Sequence, residues 1–118
     1  MKKIIVAAAI LGTVVISSSS PIYASSNQCG GASWYALPGQ RTANGDRMNP
    51  NAMTAAHKFL PFGTRVKVTD QNSGKTIQVT INDRGPYVRG RIIDLSRAAA
   101  TQLGIRGPGT GKVCLQQI

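Results

Sequence analysis

A small closed β-barrel carrying one or two short helices is the fold class this sequence predicts, and three observations predict it. Short runs alternate apolar and polar residues with the period of two that a half-buried strand requires. Stretches rich in Gly, Pro and Asn separate those runs, so strands are joined by turns and loops. Helical signals are confined to two short segments, and no internal repeat is present.

Residues 1–24 read as a signal peptide outside the fold. Lys2-Lys3 is its basic start, Ile4 to Ile16 its apolar stretch, and Ser17–Ser20, Pro21 and Ala24 its cleavage region. The apolar run is too short to span a bilayer comfortably, and nothing later could do so. Ser26-Asn27-Gln28 before Cys29 does not resemble a lipoprotein processing site. A soluble exported chain is expected, with one domain over 25–118.

Ser25 to Gly30 is a polar lead-in, and Gly31 to Tyr35 a first strand, with Trp34 assigned to the core and Tyr35 to a groove edge. Leu37 to Asn51 has no hydrophobic period, and loops of that length in small domains are usually functional. Within it, Asn44-Gly45 makes a tight turn from which Thr42, Asn44 and Asp46 offer a hydroxyl, an amide and a carboxylate to a ligand. An ordinary Asx turn is the alternative. Ala52 to Lys58 has the alanine content of a short helix, and it ends near His57, the one histidine and a side chain that titrates near neutrality.

Pro61-Phe62-Gly63 opens a hairpin. Arg65 to Asp70 points Val66 and Val68 inward, Asn72-Ser73-Gly74 turns, and Thr76 to Asn82 returns. The alternation of Ile77, Val79 and Ile81 carries Asp83 onto the apolar face, where Gly85-Pro86 stops the strand. That is the partly desolvated setting a general acid needs. Ile92 to Leu95 contains Asp94. Ser96 is a helix N-cap, Arg97 to Leu103 a two-turn helix, and Gly104 its stop. Ile105 to Gly111 is loop and Lys112 to Ile118 a last strand. Asp83 and Asp94 are two of only four acidic side chains in the chain, and they flank one Gly-Pro turn. As structural residues, Asp94 would cap the helix and Asp83 would pair with Arg84. Their proximity favours a site.

Composition sets further bounds. Cys29 and Cys114 are the two cysteines. In an oxidising compartment they are expected to pair, and closing so long a loop is worth roughly 4–5 kcal/mol. With one histidine and no further cysteine a zinc site is not expected, nor any other metal or cofactor. The formal net charge is +10 and there is no glutamate. A polyanionic partner is favoured. The basic residues are scattered without a recognition helix or RNA-binding aromatics, so nucleic acid is not expected, and an anionic cell-wall polymer fits an exported protein better.

Six segments in order carry a family resemblance. They are Gly31-Ala32-Ser33-Trp34-Tyr35, Arg41-Thr42-Ala43-Asn44-Gly45, Thr54-Ala55-Ala56-His57, Leu60-Pro61-Phe62-Gly63-Thr64-Arg65-Val66, Asn82-Asp83-Arg84-Gly85-Pro86 and Ile93-Asp94-Leu95-Ser96. Together they resemble the rare lipoprotein A (RlpA) family over nearly all of residues 30–118. The resemblance implies a six-stranded double-psi β-barrel, shared with expansins. It implies a lytic transglycosylase acting on peptidoglycan glycan strands poor in stem peptides, forming 1,6-anhydromuramoyl ends. A monomer, exported to the periplasm or outside the cell and associated with the wall, is expected.

The family's catalytic or groove positions fall on Asp46, His57 and Asp83, and Asp94 matches the acid of related barrels. Tyr35, at the groove edge, and Thr42, Asn44, Asn82 and Arg84 are expected to bind substrate through hydrogen bonds or charge. The chain departs from the family at Asp46, where glutamate is common. The shorter side chain draws that carboxylate back by about 1 Å, a misplacement that can cost on the order of 100-fold in rate. A transglycosylase attacks with the substrate's own 6-hydroxyl, so one carboxyl can serve as acid and then as base, whereas a hydrolase normally needs two. Asp83 is the expected acid, unless Arg84 folds onto it, in which case Asp94 takes the role. The alternative is an expansin-like module that binds and loosens glycan without cleaving it.

Overall fold

In the computed structural model, residues 28–118 are described. The expected signal segment, 1–24, and half of the polar lead-in, 25–27, lie outside them. Six strands and one helix follow in the order β1 (Gln28–Tyr35), β2 (Thr54–Ala56), β3 (Arg65–Asp70), β4 (Thr76–Asp83), β5 (Arg91–Ser96), α1 (Arg97–Leu103) and β6 (Thr110–Gln117). The strands close into a barrel in the spatial order β1-β5-β2-β4-β3-β6, as the resemblance implies.

The hairpin forms as its alternation requires. Val66 lies opposite Val79 and Val68 opposite Ile77, so the apolar faces of β3 and β4 share one side of the ladder. Those residues join Ile81, Ile93, Leu95, Val113 and Leu115 in the barrel interior. Removing side chains of this size from water contributes about 2 kcal/mol each. Two parallel pairs, β1 with β5 and β2 with β4, give the sheet its crossovers. The other ladders are antiparallel.

One element differs from expectation. The alanine-rich segment expected as a helix over Ala52 to Lys58 supplies β2 instead. It runs parallel to β4 on one side and antiparallel to β5 on the other, with Ala55 and Ala56 buried. A helix here would leave two buried strand edges without partners, and that cost exceeds the weak helical preference of alanine.

Helix α1 has the predicted bounds. The Ser96 hydroxyl accepts from Ala99 N at 3.2 Å and donates to Ala52 O at 2.6 Å, so one cap also ties α1 to the segment before β2. Gly104 ends the helix at φ 91°, a conformation that glycine adopts without steric cost. Ala99, Ala100 and Leu103 pack onto the barrel. Cys29 and Cys114 face one another across β1 and β6 and form the expected disulfide, with Cα atoms 4.0 Å apart. Among the described residues no helix is long and apolar enough to cross a membrane.

Candidate active site

The site begins with strand register. Ser33 on β1 lies opposite Asp94 on β5, Asp94 opposite Ala56 on β2, and Ala56 opposite Asp83 on β4. Two carboxylates on β4 and β5 thus flank one alanine that comes from a distant part of the chain. Ile93 and Leu95 are fully buried, so simple alternation turns Asp94 outward between them.

Asp83 reaches the same row by a different route, and here the expected parity is corrected. Ala55 pairs with Ile81 but Ala56 pairs with Asp83, so Asn82 is the extra residue of a bulge. The bulge shifts Asp83 off the inward parity of Ile77, Val79 and Ile81 and re-aims it beside Ala56. Asn82 is itself buried, and its Oδ1 has no hydrogen-bond partner among the described residues.

Three donors converge on the Asp83 carboxylate. Ala43 N and Arg84 N donate to Oδ1 at 2.8 and 2.9 Å, and the Tyr35 hydroxyl donates to Oδ2 at 2.8 Å. Asp94 instead accepts from the Ser33 hydroxyl. Burial, then the bond to Asp83, then the charges of Asp83 and Asp94 push the Tyr35 phenol well above its ordinary pKa. It therefore stays protonated beside both acids. The guanidinium of Arg84 does not fold onto the carboxylate: it donates to the carbonyls of His57 at 3.2 Å and Asp83 at 3.4 Å and stacks on Phe62.

The loop carrying Thr42, Asn44 and Asp46 is a miniature hairpin closed by an Arg41–Arg47 bridge. Its tip docks on β4 through Ala43 N to Asp83 and Asn44 N to Asn82 O at 3.2 Å. The three side chains are spent largely on one another. Thr42 Oγ1 donates to Asn44 Oδ1 at 2.6 Å, and Asn44 Nδ2 donates to Asp46 Oδ2 at 2.9 Å. Thr42 is buried, whereas Asn44 and Asp46 remain exposed at the edge of the row.

His57 lies beneath the row. The residue is 1% exposed, and both ring nitrogens are engaged. Nδ1 accepts from Phe59 N and Leu60 N at 3.2 Å each, which leaves Nε2 to donate to Gln28 Oε1 at 2.8 Å. Its backbone N donates to Asp83 O at 3.2 Å, so its link to the acid runs through the main chain. Burial first, then the positive charges of Arg84 and Lys58, lower the His57 pKa from 6.5 to about 4. Because the folded value is depressed, the unfolded chain binds the proton first as pH falls. Stability from this residue is complete above pH 6.5 and is lost on the way down to about pH 4. Urea denaturation should show a loss on the order of 3 kcal/mol across that window. A His57→Gln variant should remove that part of the slope; an unchanged slope would place the titration elsewhere.

Three members of this arrangement were not singled out from sequence: Ser33, Ala56 and Gln28. The first two lie inside motifs carrying the family resemblance, but their function follows from the ladders that set them beside Asp94 and Asp83. Gln28 carries no local signal.

A family model described as lytic transglycolase matches residues 27–115. A probable endolytic peptidoglycan transglycosylase RlpA of Synechocystis sp. is 58% identical over 86 residues, covering 71% of this chain and 27% of that protein. An endolytic peptidoglycan transglycosylase RlpA of Campylobacter jejuni is 50% identical over 89 residues, covering 74% and 32% respectively. The chain thus spans about a quarter to a third of the length of these relatives. Among solved structures, a Streptomyces papain inhibitor superposes with a TM-score of 0.65 at 23% identity, covering 79% of this chain and 94% of that one. The Clavibacter michiganensis expansin gives 0.63 at 23% identity, covering 79% and 50%. These two share the fold.

Proposed function

This chain belongs to the RlpA family of double-psi β-barrels, matched by the lytic transglycolase model, and from that premise we propose that it is an endolytic transglycosylase of peptidoglycan glycan strands. The observation that carries the reading is the row Ser33–Asp94–Ala56–Asp83, with the Tyr35 hydroxyl set on Asp83. It offers a proton donor, a second negative charge and a small residue between them on one surface.

Asp83 is the acid and then the base. Two backbone N–H groups hold Oδ1, so the carboxyl cannot swing and the proton it handles sits on Oδ2. Tyr35 follows that proton, accepting from Oδ2 when Asp83 is protonated and donating to it when the proton has left. Asp83 protonates the glycosidic oxygen, and the bond from that oxygen to C1 of the muramoyl sugar breaks. The C6 hydroxyl of the same sugar attacks C1 and returns its proton to Asp83, closing the 1,6-anhydro ring without consuming water. Asp94, bonded to Ser33, faces the positive charge developing on the sugar. Asn44, Asp46 and Arg84 line the edge and bind sugar hydroxyls. His57, Asn82 and Thr42 hold the backbone that carries the acid. Such a substrate implies action outside the cytoplasm at the cell wall.

Incubation with purified glycan strands tests this directly. The expected products are fragments that end, in place of a reducing sugar, in a non-reducing 1,6-anhydromuramoyl residue, lighter by one water than the hydrolysis products. Glycan capture without such ends would replace the enzyme reading with a binding module.

A further inference from the structure

Exposed aromatic rings gather around Asp83, each seated on a residue that holds it or follows it. Phe59 is 59% exposed and meets the His57 ring edge-on, with centroids 4.7 Å apart. Phe62 is 41% exposed, and the Arg84 guanidinium lies 4.1 Å from its centre. Tyr87 is 77% exposed, and its ring folds back over Gly85, with Cε2 3.7 Å from where a Cβ would stand. His57 N donates to the Asp83 carbonyl and Arg84 N to its carboxylate. Gly85 follows two residues later, within about 7 Å of Asp83 along the chain. Tyr35 already donates to the same carboxylate. Of the Trp, Tyr and Phe rings among the described residues, only Trp34, on Arg106, stands apart.

Core packing does not explain Phe59, Phe62 and Tyr87, because each keeps a large part of its surface in water. Single exposed rings are ordinary on a protein surface, whereas a group of them around one carboxylate points to a ligand. A pyranose presents C–H groups on its faces and hydroxyls at its edge, so it stacks on a ring and hydrogen-bonds sideways. Arg84 supplies sideways donors. Among the described residues its guanidinium bonds run from Nη1, to the carbonyls of His57 and Asp83, and stacking on Phe62 fixes the plane of the rest. Rings with polar donors beside them suit a ligand that has apolar faces and a polar rim better than they suit a bilayer.

We infer that Tyr87, with the Phe62–Arg84 stack, is a sugar-stacking platform for a pyranose next to the bond that Asp83 breaks. That the polymer is a peptidoglycan strand rests on the transglycosylase reading, whereas the platform rests on where the rings sit. Tyr87 holds the strand in register with Asp83 and takes no part in proton transfer. Its loss therefore falls on KM.

NMR titration of the full chain tests this, with Asp83→Asn as background to block cleavage and with a GlcNAc hexamer and purified glycan strands as ligands. Ring protons of Tyr87 and Phe62 should shift on adding either ligand, and those of Trp34 should stay in place. Y87A should weaken both ligands about tenfold, the scale of one ring contact, while Y87F and Y87W should bind like the parent. With Asp83 restored, Y87A should raise KM for strand cleavage by the same factor and leave kcat within about twofold. Ring signals of Tyr87 that do not move overturn the inference, as does a Y87A chain that binds as tightly as the parent or a Y87F chain that loses as much as Y87A. Binding to vesicles of anionic phospholipid that Y87A abolishes, with glycan binding intact, also overturns it and assigns the rings to a membrane surface. The ring shifts need no Tyr87 variant, so misfolding of Y87A leaves the test intact. The two readings fail separately: a wild-type protein that yields no anhydro ends while Y87A still weakens binding removes the enzyme, and anhydro ends with unmoved rings remove the platform.

Discussion

Asp83→Asn should lower the rate of anhydro-end formation by about 10²–10⁴-fold, the contribution of a positioned general acid and base. The substitution keeps the shape of the side chain, and Oδ1 can still accept from Ala43 N and Arg84 N, so the loop stays docked. What changes is Oδ2. An amide NH₂ in its place donates where the carboxylate accepted from Tyr35, and it has no proton to give to a leaving oxygen. Circular dichroism and melting should therefore stay near those of the wild type while turnover falls. Asp94→Asn should cost less, because Asp94 acts by charge at a distance and its amide oxygen can keep the Ser33 bond. The ranking decides the assignment: a larger loss in Asp94→Asn than in Asp83→Asn would move the proton to Asp94.

Why the sequence led to Asp83 at all, yet misjudged how it is held, follows from the range of the forces involved. Local signals were legible. Ser96 and Gly104 fixed the ends of α1, and the valines and isoleucines of β3 and β4 fixed which face is buried. The cysteines fixed which ends meet. These depend on residues a few positions apart or on a covalent partner. The row Ser33–Asp94–Ala56–Asp83 is set by pairing between strands that lie far apart in sequence, and no local pattern encodes it. The same holds for β2, where two alanines with no strand preference are extended because β4 and β5 both need a partner. Arg84 illustrates the gap most directly. Adjacent in sequence to Asp83, it looked like its ion-pair partner, and the fold gives its guanidinium two carbonyls and the Phe62 ring instead.

Replacing both Cys29 and Cys114 by serine should lower the unfolding free energy by about 4–5 kcal/mol, the value for a loop of 85 residues in the chain-entropy account. Against the 5–15 kcal/mol of a typical domain this is a large share. The melting temperature should fall by roughly 20 °C for a domain of this size. The bridge also sits where the barrel closes. β1 and β6 are the first and last strands, and their ladder is the seam that joins the two ends of the described chain. Ser33 and Tyr35 project from β1, so loosening that seam slackens the hydroxyls on Asp94 and Asp83 before the barrel unfolds. Activity of the double serine variant should accordingly decline at temperatures below its own melting point, and reduction of the wild type should reproduce both effects. A loss below about 1 kcal/mol in urea denaturation would show that the unfolded ensemble already keeps these ends together. In that case the β1–β6 ladder alone, with no covalent help, positions the two hydroxyls.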